Sequence, residues 1–272
     1  MNQMKSSIRK LLLLLAAICC AEIAWTWHPW VGALLLPMVY WAANPRPWER
    51  VWARALVTGV VCFSTSAFCG NSEAKSALES DPQGWQDIQP SMDRKDWTRV
   101  AIPPTNKLGR AQWHVEQGPP RILVCDGDGG HEMLRYDKEL GDCVVHVEFR
   151  FVPVSEGKQD YNSGVFIRNS ADGAIWHQAQ LTMDGGYWFG NSPVNGEPKR
   201  FKLQPKERRM KPAGEWNTIE ATARGRTLSI WFNGAVTCTY ANCDFPQGYI
   251  ALESEGYAIE FRNVKLKTMG GL

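Results

Sequence analysis

An all-β fold of two packed antiparallel sheets is predicted for residues 112–267 from three observations. Apolar and polar residues alternate with period two, turn signals rich in Gly and Asn separate the alternating runs, and no segment has a convincing helical period. In VVHVEFRFVPV (144–154), Val145, Val147, Phe149 and Phe151 share one face, and His146, Glu148 and Arg150 share the other. Side chains of a strand point alternately to its two faces, so one face is core and the other is wet. The same alternation predicts strands at 164–168, 175–181, 216–223, 227–234, 249–254 and 257–267. The segments NSADG, MDGG, ARGR, NG and SEG supply the turns, and Asn233-Gly234 is a strong two-residue hairpin signal. A run of 160 to 200 residues is about the size at which one sandwich buries a sizeable core.

Ahead of this domain, residues 1–70 read as a hydrophobic membrane anchor or signal region. The apolar runs 11–43, broken near His28-Pro29 and at Pro37, and 53–69 suggest N-terminal membrane helices. Six basic and two acidic side chains give residues 1–70 a net charge of +4, so the remainder of this +2 chain carries −2. By the positive-inside rule the clusters at Lys5, Arg9, Lys10 and at Arg46, Arg50, Arg54 stay in the cytoplasm, which puts everything after about residue 70 outside. A secretory signal starting at Met38 is the rival reading, and it exports the domain equally. The expected location is therefore the cell envelope, on the periplasmic or extracellular side, with membrane contact through residues 11–69. Of the 13 tryptophans, six lie before residue 70, where they suit the membrane interface. Residues 71–111, polar and punctuated by proline, read as a tether and entry strap.

The slightly acidic domain argues against nucleic acid as a partner. Cys125, Cys143, Cys238 and Cys243 fall in it; Cys238 and Cys243 in CTYANC could close a small disulfide loop, and the alternative is four buried thiols. No Cys/His spacing suggests zinc. No cofactor is evident; a carboxylate-lined groove could hold a divalent metal ion, but no ligand spacing compels one.

Candidate chemistry sits on the non-core strand faces: His146, Glu148, Arg150, Arg168, Gln178, Gln180, Glu253 and Glu255. Trp176 shares the parity of Gln178 and Gln180. An aromatic surface beside planar hydrogen-bonding groups suits a sugar ring, which has apolar faces and a polar rim. His177 adjoins Gln178 and is a candidate acid/base. His114 and His131 are isolated in sequence and read as structural, and Asn162-Ser163-Gly164 reads as a turn. There is no GxSxG, Walker loop, HExxH or ExDxxE strand motif, so serine-nucleophile, nucleotide, zincin and two-carboxylate glycosidase chemistries lack support.

The segments HVEFRF, YNSGVFIR, HQAQL, KPAGEWNTIE, WFNG, GYIALESEG and IEFRNVKLK follow one another in that order across residues 112–267. Together they resemble the 3-keto-disaccharide hydrolase family, also described as 3-keto-glucoside 1,2-lyase/3-keto-2-hydroxy-glucal hydratase. The resemblance implies a concanavalin-like jelly roll. It also implies an exported lyase/hydrolase that removes the C2 proton of a 3-keto-glycoside and eliminates the C1 substituent. It makes Glu148, Arg168 and Glu253 the catalytic candidates, with Glu148 or Glu253 as base and Arg168 at the enolate oxygen. His146, Arg150, Trp176, His177, Gln178, Gln180 and Glu255 become substrate-binding candidates, the partner being an oligosaccharide or glycoside. The family usually has Glu at the position of Gln178, and often Gln and His at the positions of Glu253 and Glu255. The alternative is therefore a non-catalytic carbohydrate-binding or cell-surface module of the same fold.

Overall fold

A computed structural model describes residues 73–157 and 159–270, which belong to the second of two compact units, Glu73–Leu272. The membrane-helix, signal and anchor expectations for residues 1–70 lie outside the described residues. Among the described residues no helix is long and apolar enough to cross a membrane.

The described residues open with a one-turn helix α1 (Ala77–Ser80), started by a capping box in which Ser76 and Glu79 satisfy each other's backbone N–H. The strands follow in chain order as β1 (Gln86–Asp87), β2 (Trp97–Ala101), β3 (Trp113–Glu116), β4 (Ile122–Cys125), β5 (Glu132–Tyr136), β6 (Cys143–Phe151), β7 (Asn162–Asn169) and β8 (Trp176–Thr182). Then come β9 (Trp188–Val194), β10 (Glu197–Lys202), β11 (Asn217–Arg224), β12 (Thr227–Phe232), β13 (Ala235–Tyr240), β14 (Tyr249–Ser254) and β15 (Ile259–Thr268). They make two antiparallel sheets. The first has the order β13-β12-β11-β6-β15-β4-β3 with β1 on β15, and the second β10-β9-β8-β7-β14-β5-β2. The all-β two-sheet sandwich is thus the observed architecture. The expected strap of 71–111 adds an edge strand to each sheet through β1 and β2, and buries Ile88 and Trp97 on the core.

The core is the one that the alternation predicts. Val145, Val147, Phe149 and Phe151 from β6 meet Val165 and Ile167 from β7, Ala179 and Leu181 from β8, and Ile250 and Leu252 from β14. Phe149 stacks on Phe232 with ring centroids 6.1 Å apart. In β15 the inward set changes parity: Ile259 and Phe261 are buried, and then Val264 and Leu266. A register shift between Arg262 and Lys265, with Asn263 at φ 53°, inserts the extra residue. Such a bulge lets one strand keep its apolar side inward across a bend. Asn233 and Gly234 have φ 42° and 94°, as a two-residue hairpin turn requires. Cys125, Cys143, Cys238 and Cys243 are free and buried, so the thiol alternative holds and CTYANC closes no disulfide loop.

Candidate functional site

The outer face of the second sheet forms the floor of a cavity of about 550 Å³. A cavity of that size falls in the range of small-ligand sites. Strand geometry sets its floor. Trp176, Gln178 and Gln180 alternate outward from β8, Phe166 from β7, Phe189 from β9 and Glu253 from β14. The loop 101–104 and His131, which precedes β5, close one side.

The cavity has two unlike ends. At the polar end Glu253 is buried, and its Oε1 lies 3.0 Å from His131 Nε2. The Gln178 amide donates to the other oxygen, Glu253 Oε2. Glu255 accepts from Asn162 Nδ2 at 2.6 Å, and Asn162 Oδ1 accepts from the Gln180 amide. Burial penalises the Glu253 carboxylate and, helped by the charge of Glu255, pushes its pKa up to about 7 against the opposing pull of His131 and Gln178. Burial draws His131 down, but its hydrogen bond to Glu253 and the two carboxylate charges win, so it stays protonated to higher pH than a free histidine. A carboxylate poised near neutrality beside an imidazole suits proton transfer. Ligand atoms of His131, Glu253 and Glu255 lie within 4.8 Å of one another, a set that could hold a divalent cation. At the other end Trp176 meets Phe166 and Phe189 edge to face, at 6.3 and 4.8 Å between centroids, and Arg200 borders them.

Gly164 holds this arrangement open. It lies opposite Gln180 in the β7–β8 ladder, and a Cβ there would come 2.7 Å from Gln178 Cδ. The missing side chain lets the Gln178 amide cross β7 to reach Glu253. In Gly164→Ala the amide is displaced and a hydrogen bond that favours the carboxylate is lost. The Glu253 pKa is then expected to rise from its value of about 7, measurable by carboxyl-resolved NMR titration of both proteins.

The structure brings Glu253, Glu255, Trp176, Gln178 and Gln180 to one cavity; five other candidates lie elsewhere. His146, Glu148 and Arg150 do point outward as read, but from the first sheet, whose outer face is the far side of the sandwich. His146 Nδ1 lies 3.0 Å from Glu220, which also accepts from the backbone N–H groups of Ala77 and Leu78. Glu148 is held down to about 2 by His146, whose ring nitrogen is 4.0 Å away, and by Arg262 and Asn263, against the cost of burial. A carboxylate with so low a pKa is a weak base. Arg150 bonds Glu260 at 2.5 Å and covers Trp216 at 4.7 Å.

Arg168 corrects the parity reading. Its φ of 53° and the register shift between Phe166 and Asn169, opposite Tyr249 and Ala251, turn its side chain inward. Its guanidinium is buried against Asp142 at 2.6 Å and the carbonyls of Gly225 and Phe245 at 2.6 and 3.3 Å. His177 occupies an inward position between its Trp176 and Gln178 neighbours, bonded to Ser192 Oγ at 2.9 Å and the Arg168 carbonyl at 3.1 Å. Burial holds it down to about 4, neutral and out of reach of a ligand. His131, Asn162, Phe189 and Arg200 are among the lining residues that the sequence reading did not select. Of these, Asn162 alone adjoins a predicted strand, at 164–168; His131, Phe189 and Arg200 carry no such signal.

A family model described as 3-keto-alpha-glucoside-1,2-lyase-like domain matches residues 75–267. Among solved structures, the carbohydrate-binding module CBM66 from Bacillus subtilis is similar at 14% identity and a TM-score of 0.47, covering 64% of this chain and 96% of its own. A candidate glycosyl hydrolase from Parabacteroides distasonis is similar at 16% identity and a TM-score of 0.48, covering 72% of this chain and 99% of its own. These likenesses are too distant to carry function. No curated protein matches the sequence.

Proposed function

The chain belongs to the 3-keto-alpha-glucoside-1,2-lyase-like domain family, and from that premise we propose that it cleaves 3-keto-glycosides by elimination, with Glu253 as the base. The observation that carries this is the Glu253–His131 pair, buried at the polar end of a sugar-sized cavity with Glu253 titrating near 7. A ketone at C3 acidifies the C2–H bond. Glu253 takes that proton, and the electron pair left on C2 delocalises onto the C3 oxygen as an enolate. Re-formation of the C3 carbonyl drives out the C1 substituent with the C1–O electron pair, leaving a C1=C2 double bond conjugated with the ketone. The departing oxygen takes a proton from protonated His131, and water can then add across C1=C2. Gln178 and Gln180 hold Glu253 and Asn162 in place and contact the sugar hydroxyls. This role supersedes the resemblance-based assignment of Glu148 and Arg168.

The concanavalin-like jelly-roll connectivity belongs to the same reading. So does export of the domain by the apolar segments of residues 11–69, which rests on the hydropathy and charge pattern alone.

The test uses the full chain and a panel of 3-keto-glycosides, following leaving-group release. A base must be ionised to act, so kcat/KM is expected to rise with pH through about 7, following Glu253. Saturable binding with no release from any member of the panel would replace this reading with the binding-module alternative.

A further inference from the structure

The two ends of the cavity ask for a two-part ligand. The polar end, with Glu253, His131, Asn162 and Gln180, accounts for a sugar and its reacting carbons. It does not account for the other end, where Trp176, Phe189 and Phe166 are joined by Met133, Ile102 and Pro103 into an apolar wall. Phe166, Met133 and Ala251 form an apolar cluster separate from the sandwich core, with Val100, Ile102 and Trp176 packed against it. The cluster itself is buried beneath Ile102 and Trp176, so the apolar surface left open to a ligand at this end is that of the half-buried Trp176, Phe189 and Ile102.

Arg200 is the second observation. It projects from the edge strand β10, its guanidinium carbon 6.0 Å from the Trp176 ring and 5.9 Å from the Phe189 ring. It is the one lysine or arginine among the described residues lining the cavity. Most arginines of the domain are paired with carboxylates, but among the described residues no carboxylate lies in salt-bridge range of Arg200. Asp172 also lines the cavity, its Oδ1 accepting from Ser170 Oγ and the Ala174 N–H of its own turn, and it forms no ion pair with Arg200. Arg200, exposed at the edge of the sheet, thus lies over two aromatic rings at the rim of the cavity and forms no ion pair of its own. Its planar fork matches a carboxylate.

We propose that this end is the subsite for the group that leaves C1, and that it selects a flat aromatic group bearing a carboxylate, with the ring against Trp176 and Phe189 and the carboxylate on Arg200. The preferred substrates would then be 3-keto-glucosides of carboxylated phenols rather than 3-keto-disaccharides. This rests on the lyase reading for its catalytic half only; recognition of the leaving group stands on Trp176, Phe189 and Arg200.

The experiment compares three substrates on the full chain: the 3-keto-glucoside of 4-hydroxybenzoate, that of its neutral methyl ester, and a 3-keto-disaccharide. The carboxylate should exceed the ester in kcat/KM by about tenfold, the worth of one charge-assisted hydrogen bond. Arg200→Gln should erase that preference, bringing the acid's kcat/KM down to that of the ester measured on the same variant. Trp176→Ala should lower both aryl substrates towards the disaccharide. Free 4-hydroxybenzoate is titrated in parallel by calorimetry against the wild-type chain and Arg200→Gln, a readout independent of turnover. Equal rates for acid and ester, or a preference that survives Arg200→Gln, would overturn the proposal. If nothing is turned over, binding of 4-hydroxybenzoate that Arg200→Gln abolishes sustains the subsite while the lyase reading falls; absent binding sinks the subsite as well.

Discussion

Glu253→Gln is expected to lower kcat/KM on a 3-keto-glycoside by about 10²- to 10⁴-fold, the usual worth of a positioned general base. The amide keeps the shape of the carboxyl and its contact with Gln178 but cannot take the C2 proton. The same substitution should not weaken the fold. The folded-state pKa of Glu253 is raised from 4.5 to about 7, so the native protein holds this proton more tightly than the unfolded chain. Stability from this group is therefore present at low pH and lost as pH rises from about 4.5 through about 7. A neutral glutamine has no charge to bury, so above pH 7 the variant's unfolding free energy should equal or exceed the wild type's. Chemical denaturation at pH 5 and pH 8 reads this directly. A variant that is inactive and also less stable at pH 8 would point to a structural role for the carboxylate.

Arg168→Ala is expected to show the opposite division. Removing the guanidinium strands Asp142 and the carbonyls of Gly225 and Phe245, which meet at that one buried side chain. Asp142 is partly exposed and keeps the Gly225 N–H, so the cost is that of losing hydrogen bonds to a charged group, about 1.5–3 kcal/mol each, and the loss should appear in the denaturation midpoint. The fraction that remains folded should keep a pH dependence set by Glu253, because Arg168 points into the sandwich and not into the cavity. Loss of turnover at full native stability would restore Arg168 to the reaction.

Comparing these two residues shows where sequence pattern suffices. β12 and the second half of β6 alternate in burial as their sequences do, whereas β14 is buried on both faces after Tyr249, one face in the core and the other under the cavity. Trp176, Gln178 and Gln180 could be placed on a common outer face because nothing interrupts the period of β8. Arg168 could not be placed correctly. Its inward turn comes from a positive φ and a bulge in its own strand, between Phe166 and Asn169, and an arginine carries no mark of either. His177 misleads in another way, since it takes a core position as a neutral imidazole satisfied by Ser192.

Other parts of the site gave no pattern to follow. Every residue of β10 is exposed or half-buried, so the strand that carries Arg200 reads as loop. β9 is interrupted by Gly190 and Pro193, and β5 begins with a buried charge, Glu132, held by Arg99 at 2.7 Å. His131 lies just before β5, and only the pairing of β5 with β14 brings it to Glu253. Parity alone also cannot tell which of two sheets an outward residue belongs to. That is why Glu148 and Glu253, both correctly read as outward, end on opposite sides of the molecule.

The most direct measurement is the fate of the C2 hydrogen. A 3-keto-glycoside deuterated at C2 is incubated with the wild-type chain, Glu253→Gln and Glu148→Gln, and deuterium release to solvent is followed with leaving-group release. Glu253 as the base predicts deuterium loss with the wild type, a matching rate within about twofold for Glu148→Gln, and almost none for Glu253→Gln. Cleavage that retains deuterium at C2, or exchange abolished by Glu148→Gln and not by Glu253→Gln, would contradict it.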